Sequence, residues 1–151
     1  MKRTTVALLA TAVLLSSAGP ANAATRQLSA NIDDENGEAI GKISLTVNVK
    51  KGVARSVTKV KLRNLVPTCG EDEPVPGDPI DVNLKGTYKT KAERVNGTKV
   101  RSFKKNKAKG RNAEWRISGS LNKRGTKLFG GRISTSDVGD DCTVKGGFSV
   151  E

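Results

Sequence analysis

The sequence lacks histidine altogether, and its 151 residues include only two cysteines, one Trp, one Tyr and three Phe. Histidine is the commonest general base at neutral pH and the commonest metal ligand, so its absence argues against triad hydrolases and histidine-based metal centres. Two sulfur atoms without histidine also make a poor zinc site. The chain has no Gly-x-Ser-x-Gly motif. We therefore predict no catalytic residues, no metal site and no cofactor.

A long apolar run is also missing, except at residues 6–15 near the N-terminus. Lys2 and Arg3 precede this run and Ala21-Asn22-Ala23 follows it, which is the pattern of a secretory signal peptide. The run is too short to anchor the protein in a bilayer. We expect a signal peptide over residues 1–23, cleavage after Ala23, and one domain over residues 24–151. The product is predicted to be secreted or extracytoplasmic, without a transmembrane segment.

The two cysteines, Cys69 and Cys142, have only each other as partners within the chain. An oxidising compartment favours a disulfide between them over two free thiols. This bond would close a loop of about 70 residues and, in the chain-entropy model, stabilise the fold by about 4 kcal/mol.

Alternation of apolar and polar residues predicts strands along the whole domain. It is clearest over residues 43–49, and it recurs in three strands between Arg111 and Glu151, where Trp115 is in phase with the core positions. The dipeptides Asn36-Gly37 and Asn96-Gly97 predict hairpins. Short strands separated by frequent turns indicate an all-β fold, an antiparallel β-sandwich or partly open barrel of about eight strands with one disulfide.

Three local expectations follow from the same pattern. We expect Phe129, Gly131 and Ile133 to share one inward face. The segment Gly70–Pro79, with its prolines, is predicted to be an extended loop without a structured element. The segment Lys104–Gly110 is predicted to be a basic turn.

Basic residues are concentrated in one part of the chain. The formal net charge is +12, and residues 85–127 contain fifteen Lys or Arg against Glu93 and Glu114. A basic face favours an anionic polymer or a cell-envelope component, such as nucleic acid, teichoic acid, acidic polysaccharide or an anionic membrane surface. The predicted binding residues are Arg101, Lys104, Lys105, Lys107, Lys109 and Arg111.

Two observations limit this interpretation. The basic cluster has no interleaved aromatic residues for base stacking and no helix that would enter a major groove, so sequence-specific nucleic-acid binding is not predicted. The alternative is that the lysines only solvate loops and edge strands, where lysine blocks the addition of further strands.

Acidic residues lie in separate loops and raise the alternative of calcium binding. The residues that could supply oxygen ligands are Asp33, Asp34, Glu35, Asn36, Glu38, Asp137, Asp140 and Asp141. None of these runs has EF-hand spacing, and turn-forming Asp and Asn account for them without a metal.

The order of features along the chain resembles a group of small secreted β-rich proteins of unknown function found in actinobacteria. The resemblance is carried by Cys69 and by the segments Ser118-Gly119-Ser120-Leu121, Gly130-Gly131-Arg132-Ile133 and Cys142-Thr143-Val144-Lys145-Gly146-Gly147-Phe148. The resemblance implies a fold for this chain, but it implies no activity and no site residues.

The leading functional hypothesis is therefore a secreted, non-enzymatic binding or cell-envelope-associated β-domain that binds polyanions through a basic face. One alternative is a protease inhibitor that presents the loop at residues 70–79, because that loop contains prolines and is anchored at Cys69. The other is a hydrolase whose site no sequence motif reveals.

Overall fold

The computed structural model describes residues 23–136, 138, 139 and 141–150, and all of the regular structure in them is β-strand. Apart from Ala23, the predicted signal peptide lies outside the described residues. No helix in the described ranges is long and apolar enough to cross a membrane. The strands are β1 (Ala23–Asp33), β2 (Ala39–Lys50), β3 (Val53–Leu65), β4 (Thr68–Cys69), β5 (Val75–Pro76), β6 (Ile80–Leu84), β7 (Tyr88–Lys89), β8 (Lys91–Val95), β9 (Thr98–Gly110), β10 (Ala113–Leu121), β11 (Leu128–Thr135) and β12 (Cys142–Val150).

The strands form one antiparallel sheet in the order β6-β3-β2-β1-β12-β11-β10-β9-β8, with β7 added to β3 and the β4–β5 ribbon added to β12. The all-β, antiparallel prediction is confirmed. The described residues form twelve strands where about eight were expected; β4, β5 and β7 have only two residues each, and β8 is a five-residue strand at the edge of the sheet.

The sheet curls so that its two ends approach each other, although no continuous ladder closes it. Lys85, directly after β6, pairs with Lys109 of β9 in an isolated bridge. The backbone N–H of Lys85 donates to the carbonyl oxygen of Lys109 at 2.9 Å. The inner face of this curled sheet holds the apolar core.

The core follows the period of two that the sequence shows. Ile43, Leu45, Val47 and Val49 of β2 are all buried, and their polar neighbours face outward. Trp115 is fully buried, and its indole N–H donates to the carbonyl oxygen of Gly110 at 3.0 Å. The prediction that Trp115 is a core residue is confirmed, and its one polar atom is satisfied, as burial requires.

Both Asn-Gly hairpins are confirmed. Asn36-Gly37 lies in the turn between β1 and β2, and Asn96-Gly97 joins β8 to β9. In the second turn Asn96 has φ 47° and Gly97 has φ 80°, and the flanking residues Val95 and Thr98 pair with each other. A two-residue hairpin of this type needs positive φ at both central residues, which Asn and Gly tolerate best.

The Cys69–Cys142 disulfide is confirmed, and its two residues are also direct pairing partners between β4 and β12. They lie 73 residues apart in sequence. A crosslink over a loop of this length stabilises the fold by about 4 kcal/mol in the chain-entropy model. The bond is consistent with an oxidising environment.

The expectation of an unstructured segment at Gly70–Pro79 is wrong in part. Cys69 pairs with Val75 and Thr68 pairs with Pro76, so a narrow β4–β5 ribbon forms, and the connection between its strands is exposed. The ribbon forms because β12 and the disulfide hold β4 in an extended conformation. It stays short because a proline has no N–H to continue the ladder.

The expectation of a basic turn at Lys104–Gly110 is wrong, because these residues complete the long strand β9. The sequence hides this strand because its alternation is broken. Trp115 pairs with Ala108 and Ile117 pairs with Lys105, so two residues of β9 lie opposite a single residue of β10. This β-bulge places the buried residues Phe103 and Ala108 five positions apart.

A second bulge overturns the expected inward position of Phe129. Ile133 is buried as predicted, but Phe129 is 51% exposed. Leu121 pairs with Leu128 and Ser120 pairs with Gly130, which leaves Phe129 as the extra residue of β11. The extra residue changes the phase of the strand, so Leu128 takes the core position instead.

Candidate functional site

The outer face of β9–β12 carries two cross-strand rows of cationic and hydroxyl side chains. The first row consists of Lys104, Ser118 and Arg132, which are paired in that order across β9, β10 and β11. The second row consists of Arg116, Ser134 and Lys145, paired in that order across β10, β11 and β12. Directly paired residues share a face with their Cβ atoms about 5 Å apart. Each serine therefore lies between two cations.

These rows lie in a shallow groove with a volume of about 800 Å³. Lys107 and Glu114, the single acidic residue among the described lining residues, lie at its edge, and Ser136 and Thr143 add further hydroxyl groups. We call this site the basic groove, defined by Lys104, Lys107, Arg116, Arg132 and Lys145 with Ser118 and Ser134 between them. Its floor is a sheet surface, so the positions of these side chains are fixed by strand register.

The positive charge of the basic groove is only partly compensated. The Nζ atom of Lys107 lies 3.8 Å from a carboxylate oxygen of Glu114, and Lys145 contacts a carboxylate oxygen of Glu35. Both pairs are exposed to solvent, where an ion pair contributes little stability.

Within the described residues, the side chains of Lys104, Arg116 and Arg132 make no hydrogen bond and no ion pair. Arg116 and Arg132 are diagonal neighbours on adjacent strands, since Arg116 pairs with Ser134, two residues from Arg132. Like charges at such positions repel each other, and an anion placed between them relieves the repulsion.

The structure divides the six predicted binding residues into separate positions. Lys104 and Lys107 line the basic groove. Lys105 pairs with buried Ile117, so it belongs to the row of the opposite face. Lys109 pairs with Glu114 at the edge of the groove but does not itself line it, and Arg111 is exposed in the turn between β9 and β10. A binding role for the six together stays a prediction.

Arg101 has a different environment from the other five. It is half-buried, and its Nε atom donates to the carbonyl oxygen of Ala54 at 3.1 Å. A terminal guanidinium nitrogen donates to the carbonyl oxygen of Thr90 at 2.9 Å and to the Thr90 hydroxyl at 3.0 Å. These bonds tie β9 to β3 and to the residue after β7. Arg101 therefore joins the two ends of the curled sheet and does not line the groove.

Sequence analysis missed both serines of the basic groove and three of its five cations, namely Arg116, Arg132 and Lys145. The signal was present, because the predicted alternation of the last three strands places each of them on the outward face. Their proximity to each other and to Lys104 follows from strand order and register, which the sequence does not show.

The acidic loops contain an organised turn. Oδ1 of Asp34 accepts hydrogen bonds from the backbone N–H groups of Asn36 at 2.8 Å and Glu38 at 2.9 Å. The bond from Glu38 is the main cause of the lowered pKa of the Asp34 carboxyl group, and the bonds from Asn36 lower it further. In the part of the chain that the structure describes, no three acidic or cysteine side chains come close enough to share a metal ion. Asp137 and Asp140 lie outside that part.

Comparison with protein-family models, with curated proteins and with solved structures found no match for this chain. The resemblance to small secreted actinobacterial β-rich proteins therefore stays a prediction.

Proposed function

We propose that this protein is an extracytoplasmic, non-enzymatic binding module that holds an anionic polymer of the cell envelope in the basic groove. The observation that carries the proposal is the pair of cross-strand rows in which Arg116 and Arg132 have no counterion among the described residues. The rows cross four strands, roughly 14 Å at the usual strand spacing. That length suits several repeats of a polymer better than one small anion.

The proposed compartment has two independent supports. The sequence pattern of residues 1–23 is that of a secretory signal peptide. The Cys69–Cys142 disulfide agrees with an oxidising location.

We infer further that the curled sheet acts as a partly open barrel of eight strands, with β8 and the two-residue strands as additions. The support is the path β6-β3-β2-β1-β12-β11-β10-β9, whose first and last strands approach each other at the Lys85–Lys109 bridge. A curved sheet of this kind provides a rigid platform, and binding groups on strands are held more precisely than groups on loops.

The proposal is tested by retention on heparin and on isolated cell-wall material across a salt gradient. The variant Arg116→Gln/Arg132→Gln should elute at lower salt and bind about tenfold more weakly at low ionic strength. The matched control is Arg55→Gln/Arg124→Gln, which removes the same charge from two exposed arginines outside the groove. Equal elution of the two variants would show that retention reflects net charge alone.

A second function, protease inhibition, is favoured by one observation. The exposed residues between β4 and β5 are held at both ends, by the disulfide at Cys69 and by the bond from Gly77 N–H to the carbonyl oxygen of Pro67 at 2.8 Å. Val75 is 54% exposed within this ribbon. Incubation with a panel of secreted proteases should give a stoichiometric complex if the ribbon is inhibitory, and complete cleavage between Cys69 and Gly77 would contradict this role.

A further inference from the structure

We infer that the basic groove selects a linear phosphodiester polymer without bases, of the polyol phosphate type, over a carboxylate polymer of equal charge. This inference rests on the proposed function and concerns the chemistry of the ligand. The features that carry it are the positions of Ser118 and Ser134, which net charge does not explain.

Each of these serines has a cation on both sides. Ser118 lies between Lys104 and Arg132, and Ser134 occupies the equivalent position in the second row. Within the described residues, neither hydroxyl group makes a hydrogen bond to the protein. Both residues are half-exposed at the floor of the groove, so their O–H groups are available to a ligand.

The arrangement of one hydroxyl beside two cations matches a phosphodiester group. Its two non-bridging oxygens diverge from a tetrahedral phosphorus atom, so one can pair with a guanidinium or ammonium group while the other accepts a bond from the serine hydroxyl. A carboxylate has two coplanar oxygens, and its favoured pairing with arginine uses both of them in two parallel bonds within that plane. A serine hydroxyl outside that plane then contributes less than it contributes to a phosphodiester oxygen that diverges toward it.

The spacing of the two serines favours a polymer with a short repeating unit. Arg116 pairs with Ser134 while Ser118 pairs with Arg132, so the serines are diagonal neighbours with Cβ atoms about 7 Å apart. A linker of three carbon atoms between successive phosphates can span a distance of this order. At the β12 end of the first row Gly147 lies opposite Arg132 and has no side chain, which lets the polymer lie close to the sheet.

The polymer is assigned as free of bases because the described part of the groove offers no aromatic side chain on which bases could stack. None of the described residues that line it is aromatic. Proteins that bind single-stranded nucleic acid usually stack the bases on aromatic side chains, in addition to contacting the backbone.

The test compares three probes of equal charge number by titration at fixed salt: a glycerol phosphate oligomer, an oligoglutamate and an oligothymidylate. Wild-type protein should bind the glycerol phosphate oligomer about tenfold more tightly than the oligoglutamate. The variant Ser118→Ala/Ser134→Ala should lose this preference and keep its affinity for the oligoglutamate. The variant Ser118→Thr/Ser134→Thr retains both hydroxyl groups and should keep the preference.

The outcomes separate this inference from the proposed function. If no probe binds, the proposed function fails. If the glycerol phosphate oligomer and the oligoglutamate bind equally and the Ala variant changes nothing, the groove binds anions by charge alone and the inference is overturned. Binding of oligothymidylate as tight as that of the glycerol phosphate oligomer would overturn the assignment to a polymer without bases.

Discussion

The ring of Phe148 lies directly over Gly131, where a Cβ atom would be 2.3 Å from the ring carbons Cε2 and Cζ. The same atom would be 2.8 Å from the carbonyl oxygen of Ser118. The ring is buried and the carbonyl belongs to a neighbouring strand, so neither can move aside easily. The core beneath β11 therefore depends on the absence of a side chain at this position.

We predict that Gly131→Ala destabilises the protein by about 2–3 kcal/mol, the usual effect of overpacking a core. The neighbouring residue provides a matched control, since a Cβ atom at Gly130 would have nothing within 4 Å. Gly130→Ala should change stability by less than about 0.5 kcal/mol. Urea denaturation of the two variants checks both values, and equal stability would contradict the packing described for Phe148.

Arg101 should prove to be a stabilising residue. Its guanidinium group donates to the carbonyl oxygens of Ala54 and Thr90, which leaves Thr90 O without this donor if the side chain is truncated. Arg101→Gln should lower the free energy of unfolding by about 2 kcal/mol, as expected for charge-assisted bonds in a half-buried site. Lys99→Gln removes the same charge from an exposed position of the same strand and should have little effect.

Retention on an anionic matrix distinguishes this role from a binding role. The Arg101 and Lys99 variants should elute together, close to wild type. If Arg101→Gln instead loses much of its retention while its stability is unchanged, Arg101 binds the anionic matrix and is not mainly a stabilising residue.

The turn between β1 and β2 should be sensitive to acid through Asp34. Hydrogen bonds from the backbone N–H groups of Glu38 and Asn36 hold the pKa of the Asp34 carboxyl below its ordinary value of 3.8. Because the folded state has the lower pKa, the stabilisation is present in full above pH 3.8 and is lost as the pH falls through the folded-state pKa.

Denaturation of wild type and Asp34→Ala from neutral to acid pH measures this contribution. The two curves should differ at neutral pH and converge at low pH. Asp34→Asn keeps an oxygen acceptor without a titrating group, so it should lie between them at neutral pH and show no acid loss at this site. A constant difference between wild type and Asp34→Ala across the pH range would show that the carboxylate charge is not involved.

Local pattern predicted most of the strands and the pairing of the two cysteines. The residues of β2 alternate without interruption, and the Asn96-Gly97 turn has the positive φ angles that this dipeptide favours. In two places where prediction failed, a bulge had shifted the phase of the strand. Phe129 and the segment Lys104–Gly110 each lie at an extra residue whose position depends on the partner strand, so no period within one strand reveals it.

The candidate site was only partly predictable for a related reason. Lysines adjacent in sequence, such as Lys104 and Lys105, point to opposite faces of a strand, so a cluster along the chain is not a cluster in space. Arg116, Arg132 and Lys145 are distant in sequence but adjacent on the sheet, because β10, β11 and β12 pair in register. The density of positive charge along the sequence predicted a binding site on the segment that forms β9, whereas the residues of the groove come from four strands.

Two pairs of lysines on β9 test this distinction directly. Lys104→Gln/Lys107→Gln removes two charges that line the basic groove, and Lys105→Gln/Lys109→Gln removes two charges from the same strand outside it. All four side chains are exposed, so both variants should unfold within about 0.5 kcal/mol of wild type. Net charge is the same in the two variants.

If the groove binds the polymer, the Lys104/Lys107 variant should elute from an anionic matrix at clearly lower salt than the Lys105/Lys109 variant. Each lost contact should also flatten the dependence of log affinity on log salt, by roughly 0.7–0.9 per anionic group that is no longer neutralised. The Lys105/Lys109 variant should keep the wild-type slope, because long-range attraction is screened within about 10 Å at 0.1 M salt. Equal shifts in both variants would mean that the polymer responds to the charge of β9 as a whole and that the groove has no special role.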